Sequence, residues 1–251
     1  MTETRTAPRF STEELARLLG LLEGADSVEL KLTVPDGDQR SAVRALHIDP
    51  LDAQLSQVFF LDTPDLLLNA RGVILRARRT KVGDDSVVKL RPVVPQELPE
   101  SLRARRGFGV EVDAMPGGFV CSGRLKSSLR PGKVKEAVYG DRAVRSLFNK
   151  GQRAFLAEHA PEGIGIEDLS VLGPITVLKL KFRPPGYDRR LVAELWTYPD
   201  GSRILELSTK CAPAEAFQVA AETRVYLEER GIDLSGEQAT KTRTALEFFS
   251  R

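Results

Sequence analysis

The sequence predicts an α+β fold: a mostly antiparallel sheet of seven or eight strands, with helices at the chain ends and in the middle. Three observations carry this. The segment Ser27–Val34 alternates with period two, sending Val28, Leu30, Leu32 and Val34 to one face and Ser27, Glu29, Lys31 and Thr33 to the other, as a strand with two different faces requires. Similar alternation recurs later in the chain, again with ionic residues at every second position. Short turns rich in Gly, Asp and Pro separate many of these segments, and capping-box signatures mark helices near both chain ends.

Composition bounds the function classes. Of 251 residues, 41% are hydrophobic and 29% charged, and the net charge is only +2. That gives no global case for a nucleic-acid partner or an anionic membrane, so any basic site must come from local clustering. No apolar run approaches the roughly 20 residues of a membrane span, and Met1–Arg9 lacks the apolar core of a secretory signal. Cys121 and Cys211 stand apart from each other and from His, so neither a disulfide framework nor a metal knuckle is expected. These features predict a cytoplasmic protein with no membrane partner, and they leave its oligomeric state open.

Residues 1–10 read as a loose leader, and 11–251 as a single domain. Ser11-Thr12-Glu13-Glu14 is a capping box, followed by the helical stripe Leu15, Leu18, Leu19 and Leu22 up to Gly24. After the strand at 27–34, Asp36-Gly37-Asp38 is a turn, and Ala42–Ile48 reads as a strand. His47 and His159 are isolated and carry no catalytic expectation. Val58–Leu61 is a strand running into Asp62-Thr63-Pro64-Asp65, with Pro64 suited to a first helical position. Leu66–Ala70 make a helical turn or two, ended by Gly72. Val73–Thr80 presents Arg76 and Arg78, Gly83-Asp84-Asp85 turns the chain, and Ser86–Arg91 presents Lys89 and Arg91. Gly109–Ala114 places Glu111 and Asp113 on one face. Residues 115–173 form a divergent or inserted helical segment, with a helix near Arg142–Glu158. Ile175–Arg183 carries Lys179, Lys181 and Arg183. Leu191–Tyr198 carries Glu194 and Trp196, and Arg203–Lys210 carries Glu206, Ser208 and Lys210, joined by the turn Pro199-Asp200-Gly201. A helix over Ala214–Arg230 and one opening at a Ser235–Gln238 capping box complete the chain.

Several strands thus have an aliphatic face and an opposite face of Lys and Arg beside Glu. If the sheet closes, the ionic faces line a bore. Cations mixed with a few carboxylates suit a polyanion accompanied by a divalent metal, because Arg and Lys bind phosphate oxygens and carboxylates bind Mg²⁺ or Mn²⁺.

These residues resemble a known family. Glu29-x-Lys31 is similar to the second half of the Glu-x-Glu-x-Lys motif that opens CYTH domains, the triphosphate tunnel metalloenzymes. The run from Phe59-Phe60-Leu61-Asp62-Thr63-Pro64-Asp65 through Gly72 to Leu75-Arg76-Ala77-Arg78 resembles that family's second block. Val88-Lys89-Leu90-Arg91-Pro92, Glu111, the Glu194–Asp200-Gly201–Glu206 hairpin, and Thr240-Lys241 to Ala245-Leu246 match later ones. The resemblance implies a closed antiparallel tunnel of eight strands acting as a metal-dependent phosphohydrolase on a small triphosphate or short polyphosphate. Arg76, Arg78, Lys89, Arg91, Lys179, Lys181 and Arg183 would bind phosphate. Glu29 and Glu206, with Glu111 and Glu194, would hold Mg²⁺ or Mn²⁺. Lys31, its pKa lowered by neighbouring cations, would activate or position the water. Two positions depart from the pattern: Ser27 and Ser208 stand where the family has carboxylates, which implies a weakened metal site. The alternative is a non-catalytic polyphosphate- or nucleotide-binding module. Adenylyl cyclase comes third, since no adenine-reading residues stand out.

Overall fold

The computed structural model describes residues 11–234, 238 and 241–249. Its first elements are α1 (Thr12–Glu23), β1 (Ser27–Val34), α2 (Gln39–Ala45), β2 (Gln54–Asp62), α3 (Leu67–Ala70), β3 (Val73–Thr80) and β4 (Asp84–Leu90). Then come α4 (Glu100–Arg103), β5 (Phe108–Met115), β6 (Gly118–Leu129), α5 (Lys133–Tyr139) and α6 (Lys150–His159). The chain continues through β7 (Ser170–Phe182), β8 (Leu191–Thr197), β9 (Arg203–Cys211), α7 (Ala216–Glu228) and α8 (Lys241–Phe249). The expected leader at 1–10 lies outside the described residues, as do Ser235, Gly236 and Glu237 of the expected capping box and Thr240 of the closing motif.

The strands close into a barrel in the order β1-β5-β6-β4-β3-β2-β7-β8-β9. The barrel has nine strands rather than eight, and β1 with β5 is a parallel pair in an otherwise antiparallel ladder. The additional strand, β6, falls in the segment expected to be helical. Its polar positions Ser122, Arg124, Lys126 and Ser128 alternate as strongly as in any other strand, but Gly118, Gly123 and the serine pair at 127–128 weaken its β propensity.

Period-two alternation sorts every strand into an outer and an inner face. The outer aliphatic residues are covered in patches. Helices α5 and α6 pack over Phe59, Leu61, Leu75, Ala77, Val88 and Leu125. Helices α2 and α7 cover Leu32, Val34, Leu191, Leu205 and Leu207. Helix α1 and the start of α7 cover Val28, Val110, Val112 and Cys121. Each such side chain contributes on the order of 1.5–3 kcal/mol through burial, so the outer layers hold the barrel closed and free its inner face for polar groups.

Ala42–Ile48, expected as a strand, is helix α2 and the turn after it, because Ala42 and Leu46, four residues apart, form a fully buried helical stripe. His47 ends the turn with φ 52°. The helix expected over Arg142–Glu158 starts only at Lys150, where Asn149 and Gln152 form a capping box. Pro64 lies in the turn before α3 rather than at its first position. Gly83 does turn the chain, but Asp84 and Asp85 belong to β4.

Candidate functional site

The inner face concentrates the ionic residues. On β1 and β5, Lys31 Nζ lies 2.9 Å from Asp113 Oδ1 and 3.2 Å from Glu29 Oε2. Arg91 Nη2 approaches Asp113 Oδ2 at 3.9 Å. Glu111 Oε2 accepts from Lys210 Nζ at 3.0 Å and forms an ion pair with Arg124, whose Nε lies 3.2 Å away. Carboxylate oxygens of Glu29, Glu111 and Asp113 all lie within 4.8 Å of one another. The ladder explains this grouping: Ser27 stands opposite Glu111 and Glu29 opposite Asp113 across the parallel pair.

A second group sits on β3, β4 and β6. Arg78 donates through Nε and Nη2 to Asp85 Oδ2 at 2.9 and 2.5 Å. Arg76 Nη2 lies 4.0 Å, and Lys126 Nζ 3.9 Å, from the same carboxyl. A third group joins β7, β8, β9 and α8. Lys179 Nζ donates to Glu194 Oε1 at 2.6 Å. Lys241 pairs with Glu194 Oε2 and, at 2.8 Å, with Glu206 Oε1. Trp196 Nε1 also donates to Glu194 at 3.2 Å. Lys241 can reach this group because α8 packs on inner-face residues: Ala245 and Leu246 cluster with Val58, Phe60, Ile74, Ile175, Val177 and Trp196. The helix therefore plugs an apolar part of the bore, and Gln238 ahead of it brackets the Thr33 backbone by accepting its N–H at 2.8 Å and donating to its C=O at 3.2 Å.

The expected residues separate accordingly. Glu29 and Glu111 come together with Asp113, whereas Glu194 and Glu206 are bridged by Lys241. Arg76, Arg78, Lys89, Arg91 and Lys179 project from inner-face positions. Lys181 is exposed, and Arg183, past the end of β7, gives Nη1 to the Asp188 carbonyl at 3.1 Å. Sequence reasoning missed Asp113, Asp85, Arg124 and Lys126 as site members, although the alternation of β5 and β6 contained the signal. The Asp62 of the Asp-Thr-Pro-Asp block is structural, accepting the backbone N–H groups of Thr63, Leu68 and Asn69 at 2.8–2.9 Å and so fixing α3.

The electrostatics correct one expectation. Burial alone would lower the pKa of Lys31, but Asp113, Glu29 and Glu206 outweigh it and raise the net value. A lysine held so firmly protonated is a poor proton acceptor. Lys89 behaves as Lys31 was expected to: burial, with Lys31 and Arg91 adding to it, pushes its pKa down to about 8 against the pull of Asp113 and Glu111. Burial also lowers the pKa of Arg76 and Arg91 despite their acidic neighbours. For Glu194, burial would raise the pKa, but Lys241 and Lys179 together drive it well below the usual carboxylate range. Several donors end without acceptors: Arg76 Nε, Arg91 Nε and Ser122 Oγ are buried with no hydrogen-bond partner. Unmade bonds at buried cations are costly, and an anion in the bore would satisfy them.

The residues also suit a divalent cation. One carboxylate oxygen from each of Glu29, Glu111 and Asp113, all within 4.8 Å of one another, could serve as hard oxygen ligands to a metal ion, and the Lys31 ammonium already stands as a cation between two of these carboxylates.

No family model matches the sequence, and no curated protein matches it significantly. Solved structures do match in fold. A Hippeastrum protein named for adenylyl cyclase and described with a dominant triphosphatase activity superposes at a TM-score of 0.64 with 18% identity, covering 88% of this chain and 95% of the other. A Bacillus halodurans protein carrying an adenylate-cyclase name superposes at 0.58 with 16% identity, covering 87% and 98%. The chain therefore has the CYTH-type tunnel fold that its motifs resemble. No helix among the described residues is long and apolar enough to cross a membrane.

Proposed function

We propose that the bore binds a small triphosphate or short polyphosphate and hydrolyses it with the help of a divalent cation. The observation that carries this reading is the set of half-buried, under-satisfied cations on one inner face: Arg76 and Arg91 have buried, unpartnered Nε groups, and no carboxylate among the described residues lies within ion-pair distance of Lys89. Charge-assisted hydrogen bonds to phosphate oxygens, worth about 1.5–3 kcal/mol each, would complete these donors. Neutralising phosphate charge with preorganised cations is usually the largest contribution to phosphoryl transfer. Glu29, Glu111 and Asp113 would hold the Mg²⁺ or Mn²⁺. What such a cation supplies when bound is polarisation of a phosphoryl oxygen. Lys31 orients Glu29 and Asp113, and Lys89, with its pKa near 8, is still mostly an ammonium at neutral pH and donates to phosphate oxygens. The described triphosphatase activity of the Hippeastrum neighbour is consistent with this chemistry.

One observation favours binding without turnover. Each carboxylate of the candidate metal site is already paired with a Lys or Arg of this chain. Phosphate release from tripolyphosphate, with Mg²⁺ or Mn²⁺ and with chelator, separates the two readings. Metal-dependent release supports hydrolysis. Tight tripolyphosphate binding that ignores metal, with no release, supports the binding module. Absence of both binding and release would overturn the anion site itself.

A further inference from the structure

We propose that Asp85 makes the β3–β4–β6 side of the bore a reader of protonated phosphate: Asp85 Oδ1 accepts the P–OH proton of the ligand's terminal phosphate, while Arg76, Arg78 and Lys126 take its other oxygens. This rests on reading the bore as a phosphate site. It adds a direction for the bound chain and a residue that selects its end group.

Two unmet atoms locate the site. Asp85 is 6% exposed and stands directly opposite Arg78 in the β3–β4 ladder. Its two oxygens differ. Oδ2 accepts from Arg78 Nε and Nη2 and has Lys126 Nζ at 3.9 Å. Oδ1 is buried with no hydrogen-bond partner, and Arg76 Nη2, 4.0 Å from it, is beyond hydrogen-bond range. Arg76 Nε is likewise buried without an acceptor. The cluster thus lacks a donor for Oδ1 and an acceptor for Arg76. Other bore carboxylates are better met: Glu194 holds a lysine on each oxygen, and Asp113 Oδ1 has Lys31 Nζ at 2.9 Å.

The missing group can be named by its chemistry. An ionised carboxylate only accepts hydrogen bonds, so Oδ1 calls for a donor. An ammonium would be repelled by the three surrounding cations, Arg76, Arg78 and Lys126. An organic hydroxyl would meet Oδ1 but bring no charge to those cations. A fully deprotonated anion would set its lone pairs against a buried carboxylate. A phosphate holding one proton supplies both needs, a P–OH for Oδ1 and charged oxygens for the cations. In a polyphosphate chain only an end group has a second ionisation close to neutrality, at about pH 6 for a phosphate monoester; the inner groups hold no proton there. Asp85 therefore draws the end of the chain to this side of the bore.

The test compares two probes by calorimetry on the full chain at pH 8, where both are dianions. Orthophosphate keeps one P–OH; in monofluorophosphate fluorine replaces that hydroxyl and cannot donate. Tripolyphosphate is titrated alongside. The wild type should bind orthophosphate at least about tenfold more tightly than monofluorophosphate, as one charge-assisted hydrogen bond implies. Asp85→Asn should bring the two to equal affinity while still binding tripolyphosphate. Should Asp85→Asn fail to fold with three cations left crowded, the charge-balanced double variant Asp85→Asn, Lys126→Gln takes its place, and the preference must vanish there. Equal affinities in the wild type, or a preference that survives Asp85→Asn, overturn the role of Asp85. Tripolyphosphate binding beside either result leaves the phosphate bore standing. Binding of none of the three ligands to the wild type overturns both.

Discussion

Replacing Lys241 with Met should destabilise the fold by about 3 kcal/mol at neutral pH. Lys241 is 11% exposed and bridges Glu194 with Glu206, which is 3% exposed. Removing one partner of a buried ion pair costs roughly 3–5 kcal/mol, because the other charge is left uncompensated. The low end applies here, since Glu194 keeps Lys179 at 2.6 Å and the Trp196 indole N–H at 3.2 Å. Glu206 keeps no such partner among the described residues and stands directly opposite Glu194 in the ladder, so the variant also sets two carboxylates against each other. Met retains the aliphatic stem against Trp196. Urea unfolding of the wild type, Lys241→Met, Glu206→Gln and the double variant forms a cycle that isolates the pair. The double variant should recover a large part of the loss. The pH dependence has a definite sign. Glu194 has its carboxyl pKa depressed in the folded state, so its stabilisation is complete above the ordinary carboxylate range and drains away as pH falls toward the depressed value. The deficit of Lys241→Met should therefore be largest near pH 7 and narrow in acid. A loss below about 1 kcal/mol, or one equal in the single and double variants, would refute the bridge as the anchor of α8.

Arg76→Gln should weaken tripolyphosphate binding by about 1.5–3 kcal/mol in calorimetry, whereas Arg183→Gln should change it little, because Arg183 is committed to the Asp188 carbonyl. Tripolyphosphate affinity should fall between pH 7 and pH 9 as Lys89, with its pKa near 8, loses its proton. Lys89→Arg should flatten that decline, and an unchanged profile would remove Lys89 from the ligand. Ser27→Glu, opposite Glu111 in the ladder, should lower the Mn²⁺ concentration at half-saturation, and no change would place position 27 away from the metal.

Alternation made the barrel legible in the sequence. Wherever ionic residues recur at every second position against aliphatic neighbours, as in Val73–Thr80 or Ile175–Phe182, the strand and its inner face follow directly. Ala42–Leu46 deceived because a buried stripe at i, i+4 looks like short alternation when only six or seven residues are read. Strand β6 was lost to its glycines, and with it Arg124 and Lys126. The pairing of charges was not legible at all, because it depends on register: Glu111 meets Lys210 across 99 positions of sequence, and only a parallel β1–β5 pair brings Asp113 to Glu29. Asp85 illustrates the same limit. In Gly83-Asp84-Asp85 it reads as a turn residue, yet β4 starts two residues earlier than expected, at Asp84, and carries Asp85 into the bore.

Register also gives Ser208 a meaning that the motif could not. Ser208 stands opposite Lys31 in the β1–β9 ladder and donates to Glu29 Oε1. A carboxylate at 208 would face Glu29 at hydrogen-bond range, and the two would need a shared cation to coexist. With Ser there, Glu29 is free of that repulsion, and its other oxygen turns to Lys31. Lys31 in turn ties Glu29 to Asp113, which is 1% exposed, and a carboxylate that deeply buried must be paired. Ser208 thus does more than leave a charge out of the bore: it unloads the β9 side of Glu29 and leaves the balance of carboxylates on the β5 side. The acids of this bore accordingly fall into two kinds. Asp85, Glu194 and Glu206 neutralise crowded cations that would otherwise repel one another across neighbouring strands. Glu29, Glu111 and Asp113 crowd each other as well, an arrangement that stands only while cations sit among them.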